Sequence, residues 1–185
     1  MYWLIFVVFA QGVWAQGGRS TIPDVREQPA RSDERRPHLG VMAGIAAPEK
    51  SYRNEFEYGV DVGYQPWIPF SVGLEASAFK SRRAFGIQEQ DLDRTQIFVK
   101  GSFNFGGNLP VIKDSYLGLG LGPVFDQNSP WSGTHMGIAP VAGFDIPLTR
   151  DLHDFFSLGA MAKYVFVSGP SPDTFAVNGL VKYWF

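Results

Sequence analysis

The segment "TQIFVKGSFNF", residues 95–105, sets Ile97, Val99, Phe103 and Phe105 on one parity and Gln96, Lys100, Ser102 and Asn104 on the other. A helix of 3.6 residues per turn would scatter those polar groups around its axis, whereas an extended strand collects them on one face. This period of two runs through the whole chain from His38 onward, and it constrains the fold more than any other property of the sequence.

Six further segments repeat the pattern. Residues 55–65 set Phe56, Tyr58, Val60, Val62 and Tyr64 against Glu55, Glu57, Asp61 and Gln65, and residues 70–80 set Phe70, Val72 and Leu74 against Ser71, Glu75 and Ser77. Leu117, Leu119, Leu121 and Phe125 alternate with Gly118, Gly120 and Gly122. Met136, Ile138, Ala142, Phe144 and Ile146 oppose His135, Gly137 and Asp145. Phe156, Leu158, Tyr164 and Phe166 oppose Ser157, Gly159 and Lys163, and Phe175, Val177, Val181, Tyr183 and Phe185 oppose Asn178, Lys182 and Trp184. With a weaker segment from Leu39 to Ala47, eight strands of about ten residues result, the length of a tilted strand that crosses a bilayer.

The connections alternate in character. "PWIP", "GGNLPVIKD" and "PLTRDLH" are turn-like and proline-marked, while "PEKSYRN", "SRRAFGIQEQDLD", "DQNSPWSGT" and "SGPSPD" are polar loops. With both barrel termini on one side, the turns fall on that side and the loops opposite, the asymmetry of periplasmic turns and extracellular loops. The reading is an all-β, transmembrane, eight-stranded antiparallel up-and-down β-barrel over residues 38–185. A soluble barrel that turns its apolar face inward around a ligand is the rival architecture. Three features favour apolar-out: the glycine-rich polar face, the aromatics near both strand ends around smaller mid-strand aliphatics, and the terminal Phe185.

Upstream, "MYWLIFVVFAQGVWA" has the apolar core and small residues of a secretory signal peptide over 1–15, although it carries no Lys or Arg. A short apolar element of the fold is the other reading. Residues 16–37 are polar, charged and proline-bearing, and read as a flexible linker. The 16 basic and 18 acidic residues give no basic field of the kind that binds nucleic acid, and the absence of cysteine removes disulfides, zinc thiolate sites and thiol nucleophiles.

Signal peptide, eight amphipathic strands and the closing "FAVNGLVKYWF" together resemble the small bacterial outer-membrane β-barrels of the OmpA/OmpX-like kind. The resemblance implies an outer-membrane location, contact with membrane lipid and lipopolysaccharide, and insertion by the barrel-assembly machinery. Within it, Tyr183 and Phe185 match the alternating aromatic positions of a C-terminal assembly signal, with Gly179 about one position from the glycine that often accompanies it. No peptidoglycan-binding domain is expected beyond the barrel.

For the lumen, the inward positions give Glu57, Asp61, Glu75, Asp145, Lys100, Lys163 and Lys182, expected to form a carboxylate–lysine network that plugs the bore, since ionised groups in a narrow interior must pair. The inward row Gly118, Gly120, Gly122 is expected to make room for Phe98, Met161 or Trp184. Catalysis has one candidate, the loop with Asp126, Ser129 or Ser132, and His135; it departs from the lipid A deacylase pattern, which has a serine where Gly137 stands. A narrow pore is a third reading. His38 and His153 read as isolated interfacial or capping residues without metal spacing, Trp67 as an interface anchor and Trp131 as a loop-packing residue. No cofactor, metal ligand set or catalytic group is assigned, and the surface role expected is structural or interactive, with an unknown partner.

Overall fold

The computed structural model describes residues 36–50, 52–67, 69–85, 88–105, 115–148 and 155–185. These form eight strands: β1 Arg36–Pro48, β2 Glu55–Trp67, β3 Phe70–Phe85, β4 Gln88–Asn104, β5 Ser115–Gln127, β6 Gly133–Pro147, β7 Phe155–Val167 and β8 Thr174–Trp184. Each pairs antiparallel with its sequence neighbours, and β1 closes on β8 from His38↔Trp184 to Pro48↔Thr174. Closure leaves no free sheet edge, the condition for placing β-structure in hydrocarbon.

Parity decides facing, and apolar is out. Val41, Phe56, Val72, Val99, Leu117, Ile138, Leu158 and Val177 are all exposed on the outer wall. Aromatic rings gather towards both ends of that wall. At the end where β1 begins, hereafter the near end, Phe70 packs on Phe103 at 5.4 Å between ring centroids, and Tyr183 lies 5.0 Å from Phe156 and 5.1 Å from Phe185. At the far end, Phe56 meets Tyr58 and Tyr164 meets Phe166. An apolar band between two aromatic girdles is the outer surface of a barrel solvated by lipid. A soluble barrel would bury that band.

Inside, eight strands leave too little width for full side chains on every inward position. Glycine resolves the conflict. A Cβ added to Gly63 would meet the ring of His38, its partner on β1, at 2.2 Å; one on Gly143 would meet the hydroxyl of Tyr116 at 2.6 Å; and one on Gly159 would meet Asp145 Oδ1 at 2.4 Å. In each case a side chain from one strand lies across a glycine of the next. The row in β5 partly follows this rule: the Phe98 side chain lies over Gly120, but Gly122 meets the backbone of Ile97 and Gly118 faces Ser102. Met161 packs elsewhere, with Met42, Tyr116, Val141 and Leu180, and Trp184 packs on His38.

Three boundaries differ from the sequence reading. Strands run from 11 to 17 residues, longer than expected. β1 starts at Arg36 and so takes the last two residues of the expected linker; the rest of it, and the expected signal peptide, lie outside the described residues. "SRRAFGIQEQDLD" is not a loose loop: β3 and β4 continue through it as a ladder to Phe85↔Gln88. Its charges face one another across that ladder, Lys80 to Asp93 at 3.1 Å and Arg82 to Asp91 at 3.3 Å. Opposite charges on facing strands stabilise pairing where no apolar core is available.

The glycine rule gives a rescue experiment. Gly63→Ala should destabilise the barrel by about 1–3 kcal/mol in urea unfolding through overpacking. Because the three atoms nearest that site all belong to the His38 ring, the double variant Gly63→Ala/His38→Ala should lose clearly less than the sum of the two single changes.

Candidate functional site

The inward positions of β2, β3, β4, β6, β7 and β8 carry the seven charged residues singled out in the sequence, and the structure joins all of them into one chain of alternating sign. Beginning at the near end, Asp145 Oδ2 accepts from Lys182 Nζ at 2.7 Å, and that ammonium lies 3.7 Å from Asp61. Lys100 bridges Asp61 and Glu75, the latter at 3.0 Å. Lys163 then bridges Glu75 at 2.6 Å and Glu57 at 2.8 Å. Glu57 is fully buried and also accepts from Ser77 Oγ, Gln96 Nε2 and Asn178 Nδ2, at 2.7–2.8 Å. Four carboxylates thus alternate with three ammonium groups. Each interior charge has an opposite neighbour, which is what makes ionised groups tolerable in a poorly hydrated bore.

His38 joins this chain, which corrects its reading as a capping residue. It is 7% exposed, hydrogen-bonded through Nε2 to Asp61 at 2.9 Å, and its ring lies 4.4 Å from that of Trp184. Trp184 in turn donates from Nε1 to Ser157 Oγ at 3.0 Å. The signal was present in the sequence: His38 shares the parity of inward Gly40 and Met42. His153 lies outside the described residues, as does the side chain of Trp67.

A second buried assembly closes the far end, and its central residue escaped the sequence reading. Arg94 is 1% exposed and forks onto Asp126, with Nε to Oδ1 at 2.7 Å and Nη2 to Oδ2 at 2.8 Å. The same guanidinium donates to Pro172 O, Thr174 Oγ1 and Ser171 Oγ, each at 2.8 Å, so it ties the β7–β8 loop to β4. Asp126, the acid of the candidate catalytic loop, lies instead in β5, 2% exposed and engaged by Arg94 and Ser171. His135 hydrogen-bonds the carbonyl of Trp131 at 3.0 Å, and Ser129 Oγ accepts from Trp131 N–H at 3.2 Å. The three groups of the supposed catalytic set therefore serve separate structural contacts.

Above Arg94 sits an apolar cap of Ala46, Tyr52, Phe79, Leu92 and Ala176, with Trp131 packed against it. The Trp131 ring is flanked by Lys50 Nζ at 4.6 Å and the Arg83 guanidinium at 5.7 Å, and Arg83 also lies 5.3 Å from the Tyr52 ring. Burial pushes the Tyr52 hydroxyl above its ordinary titration range, against the opposing pull of Arg83. Among the described residues no group of three or more His, Asp or Glu side chains is placed to hold a metal ion.

At the near end, Tyr183 and Phe185 point outward into the aromatic girdle, while Lys182 and Trp184 point inward. The backbone N–H of Phe185 reaches Pro37 O at 3.2 Å, extending the β1–β8 closure to the last residue given.

Comparison with known proteins bears on the fold. Neisserial surface protein A (NspA) superposes with a TM-score of 0.57 at 13% identity, covering 82% of this chain and 97% of that one. Ail of Yersinia pestis, solved with the heparin analogue sucrose octasulfate, gives 0.47 at 15% identity, with 83% and 100% covered. The N-terminal β-barrel domain of Pseudomonas aeruginosa OprF gives 0.39 at 14%, with 82% and 100% covered. No family model and no curated protein sequence matches the chain. The chain shares the eight-stranded barrel fold of NspA, an outer-membrane protein.

Lys163 offers the sharpest test of the network. Lys163→Met leaves Glu57 without a cation and Glu75 with Lys100 alone, and should cost about 3–5 kcal/mol in equilibrium unfolding. Adding Glu57→Gln and Glu75→Gln to the same chain should recover most of that loss.

Proposed function

We infer that the protein is a non-enzymatic integral barrel of the bacterial outer membrane with a structural or surface-interaction role. One observation carries this reading: the barrel is apolar on the outside and filled on the inside. The outer wall between its girdles fits a lipid environment, and the fold shared with NspA fits the outer membrane. The bore is crossed by the Glu57–Lys163–Glu75–Lys100 links, and its far end is covered by the Arg94–Asp126 pair and the Trp131 cap. A substrate approaching from the far end meets packed side chains, and an ion meets a bore whose charges are already paired. That leaves the wall and the far-end loops as the working surfaces.

On this reading the near end faces the periplasm, the far-end loops face outward, and lipopolysaccharide surrounds the outer girdle. Tyr183 and Phe185 serve as the C-terminal signal read by the barrel-assembly machinery during insertion. The enzymatic alternative loses its acid, because Asp126 is already bound by Arg94 at both oxygens.

Two measurements test the proposal. The folded protein should fractionate with outer membranes and migrate faster in gel electrophoresis before boiling than after; recovery as a soluble periplasmic protein would overturn it. Reconstituted in planar bilayers, the wild type should show no large, stable conductance, and an open channel would rule out a filled bore.

A further inference from the structure

The closed barrel contains two residues that a closed barrel has no natural place for. Proline cannot donate to a strand ladder and belongs on sheet edges, strand starts or bulges. Yet Pro123 stands in β5 and Pro140 in the middle of β6, both on the outward parity of their strands. The ladders register the loss. Between β4 and β5 the pairing lapses from Gln96↔Val124 to Val99↔Leu121, so that Ile97 and Phe98 have no ladder partner opposite Gly122 and Pro123. Between β6 and β7 it lapses from Ile138↔Phe166 to Val141↔Lys163, at Ala139 and Pro140. In both cases the register resumes unchanged, so these are missing bonds and not bulges. At the first lapse the Ile97 carbonyl lies against the Cα of Gly122, where an added Cβ would meet it at 1.9 Å.

The two lapses flank one unit. The ladder between β5 and β6 is continuous from Ser115↔Phe144 to Asp126↔Gly133, so the hairpin is whole within itself and interrupted on both outer sides. Behind both interruptions the bore is apolar, filled by Phe98, Val124, Ala139, Val165 and Val167. The alternating ionic chain does not cross this sector at mid-height. It touches the hairpin at Asp145 near one end, and Arg94–Asp126 clamps the other. Elsewhere a strand is held by its ladder and by luminal ion pairs together; here each lapse leaves side-chain packing as the main hold.

We propose that the β5–β6 hairpin is a lateral seam built into the barrel wall: a cooperative unit that opens locally at mid-membrane while its two ionic clamps and the β7–β8–β1–β2–β3–β4 wall stay closed. Local opening free energies follow the density of hydrogen bonds and buried contacts, and this is where the wall has fewest bonds in hydrocarbon, where each missing one matters most. The opening faces lipid on the outside and an apolar cluster on the inside, with Lys163, held by Glu57 and Glu75, at the border of the β6–β7 lapse.

Amide hydrogen exchange of the folded protein in detergent micelles, read residue by residue by NMR, tests the seam. Ile97, Val99 and Tyr164 should exchange faster than Val41 and Val181 at the β1–β8 closure. Pro123→Val restores a donor and should slow exchange about tenfold at Ile97 and Val99 without changing Tyr164. Pro140→Val should do the reverse. Equal protection at the seam and the closure in the wild type would overturn the proposal, and so would proline variants that slow exchange evenly around the barrel. The wild-type comparison stands even if one variant fails to fold.

Discussion

The width of the bore governs this molecule. Eight strands enclose a bore just wide enough for side chains to fill it, and a long side chain on one strand is repeatedly met by a glycine on its neighbour. Glycines on one strand receive the side chains of the preceding one: Gly63 lies under His38, Gly143 under Tyr116 and Gly159 under Asp145. Room made in this way lets long polar groups lie flat and reach across the bore. The ionic chain from Asp145 to Glu57 exists because lysines can extend that far between carboxylates on other strands. Packing comes first, and the electrostatics follow from it.

The same limit divides the interior. Where β2, β3, β4, β7 and β8 face inward, charges are close enough to neutralise one another. Around Phe98 the bore is filled by hydrocarbon, and the wall there lacks hydrogen bonds that prolines cannot supply. The apolar cluster around Phe98 thus coincides with the interrupted part of the sheet. The ion pairs themselves are poor evidence of net stability, since removing charge from water costs about as much as pairing returns. What they impose is arrangement, because each is satisfied in one register only.

Alternation made the fold legible, because a strand half in lipid and half in a narrow bore must switch character at every residue. Parity put Glu57, Asp61, Glu75 and Lys100 on one face, and the glycine-rich polar face, the aromatic strand ends and the terminal Phe185 made that face the lumen. The strand ends were harder. Through residues 80–93 charged and polar groups outnumber the scattered apolar ones on both faces, so parity gives little hydrophobic signal and the β3–β4 ladder looks like a loop. Arg94 was hidden at the foot of that stretch, although it shares the inward face of Gln96 and Phe98. Asp126 was misplaced for a related reason: it stands beside loop-like residues, and its partner lies 32 positions away. His38 was missed because the first strand is weak. What sequence alone could not supply is the identity of partners across the bore, which depends on tilt and register.

The ionic chain also has an order in time. The first half of the barrel carries three of its carboxylates, Glu57, Asp61 and Glu75, but only one of its amines, Lys100. The second half brings Lys163 and Lys182 with the single acid Asp145. Neither half is neutral alone, and Lys163 reaches back 88 positions to Glu75. The luminal face of β1 to β4 therefore holds more carboxylates than Lys100 and the buried Arg94 can match until β7 and β8 bring their lysines. Closure and charge cancellation become one event, and a wrongly registered or truncated wall is marked by the charges it leaves unmatched.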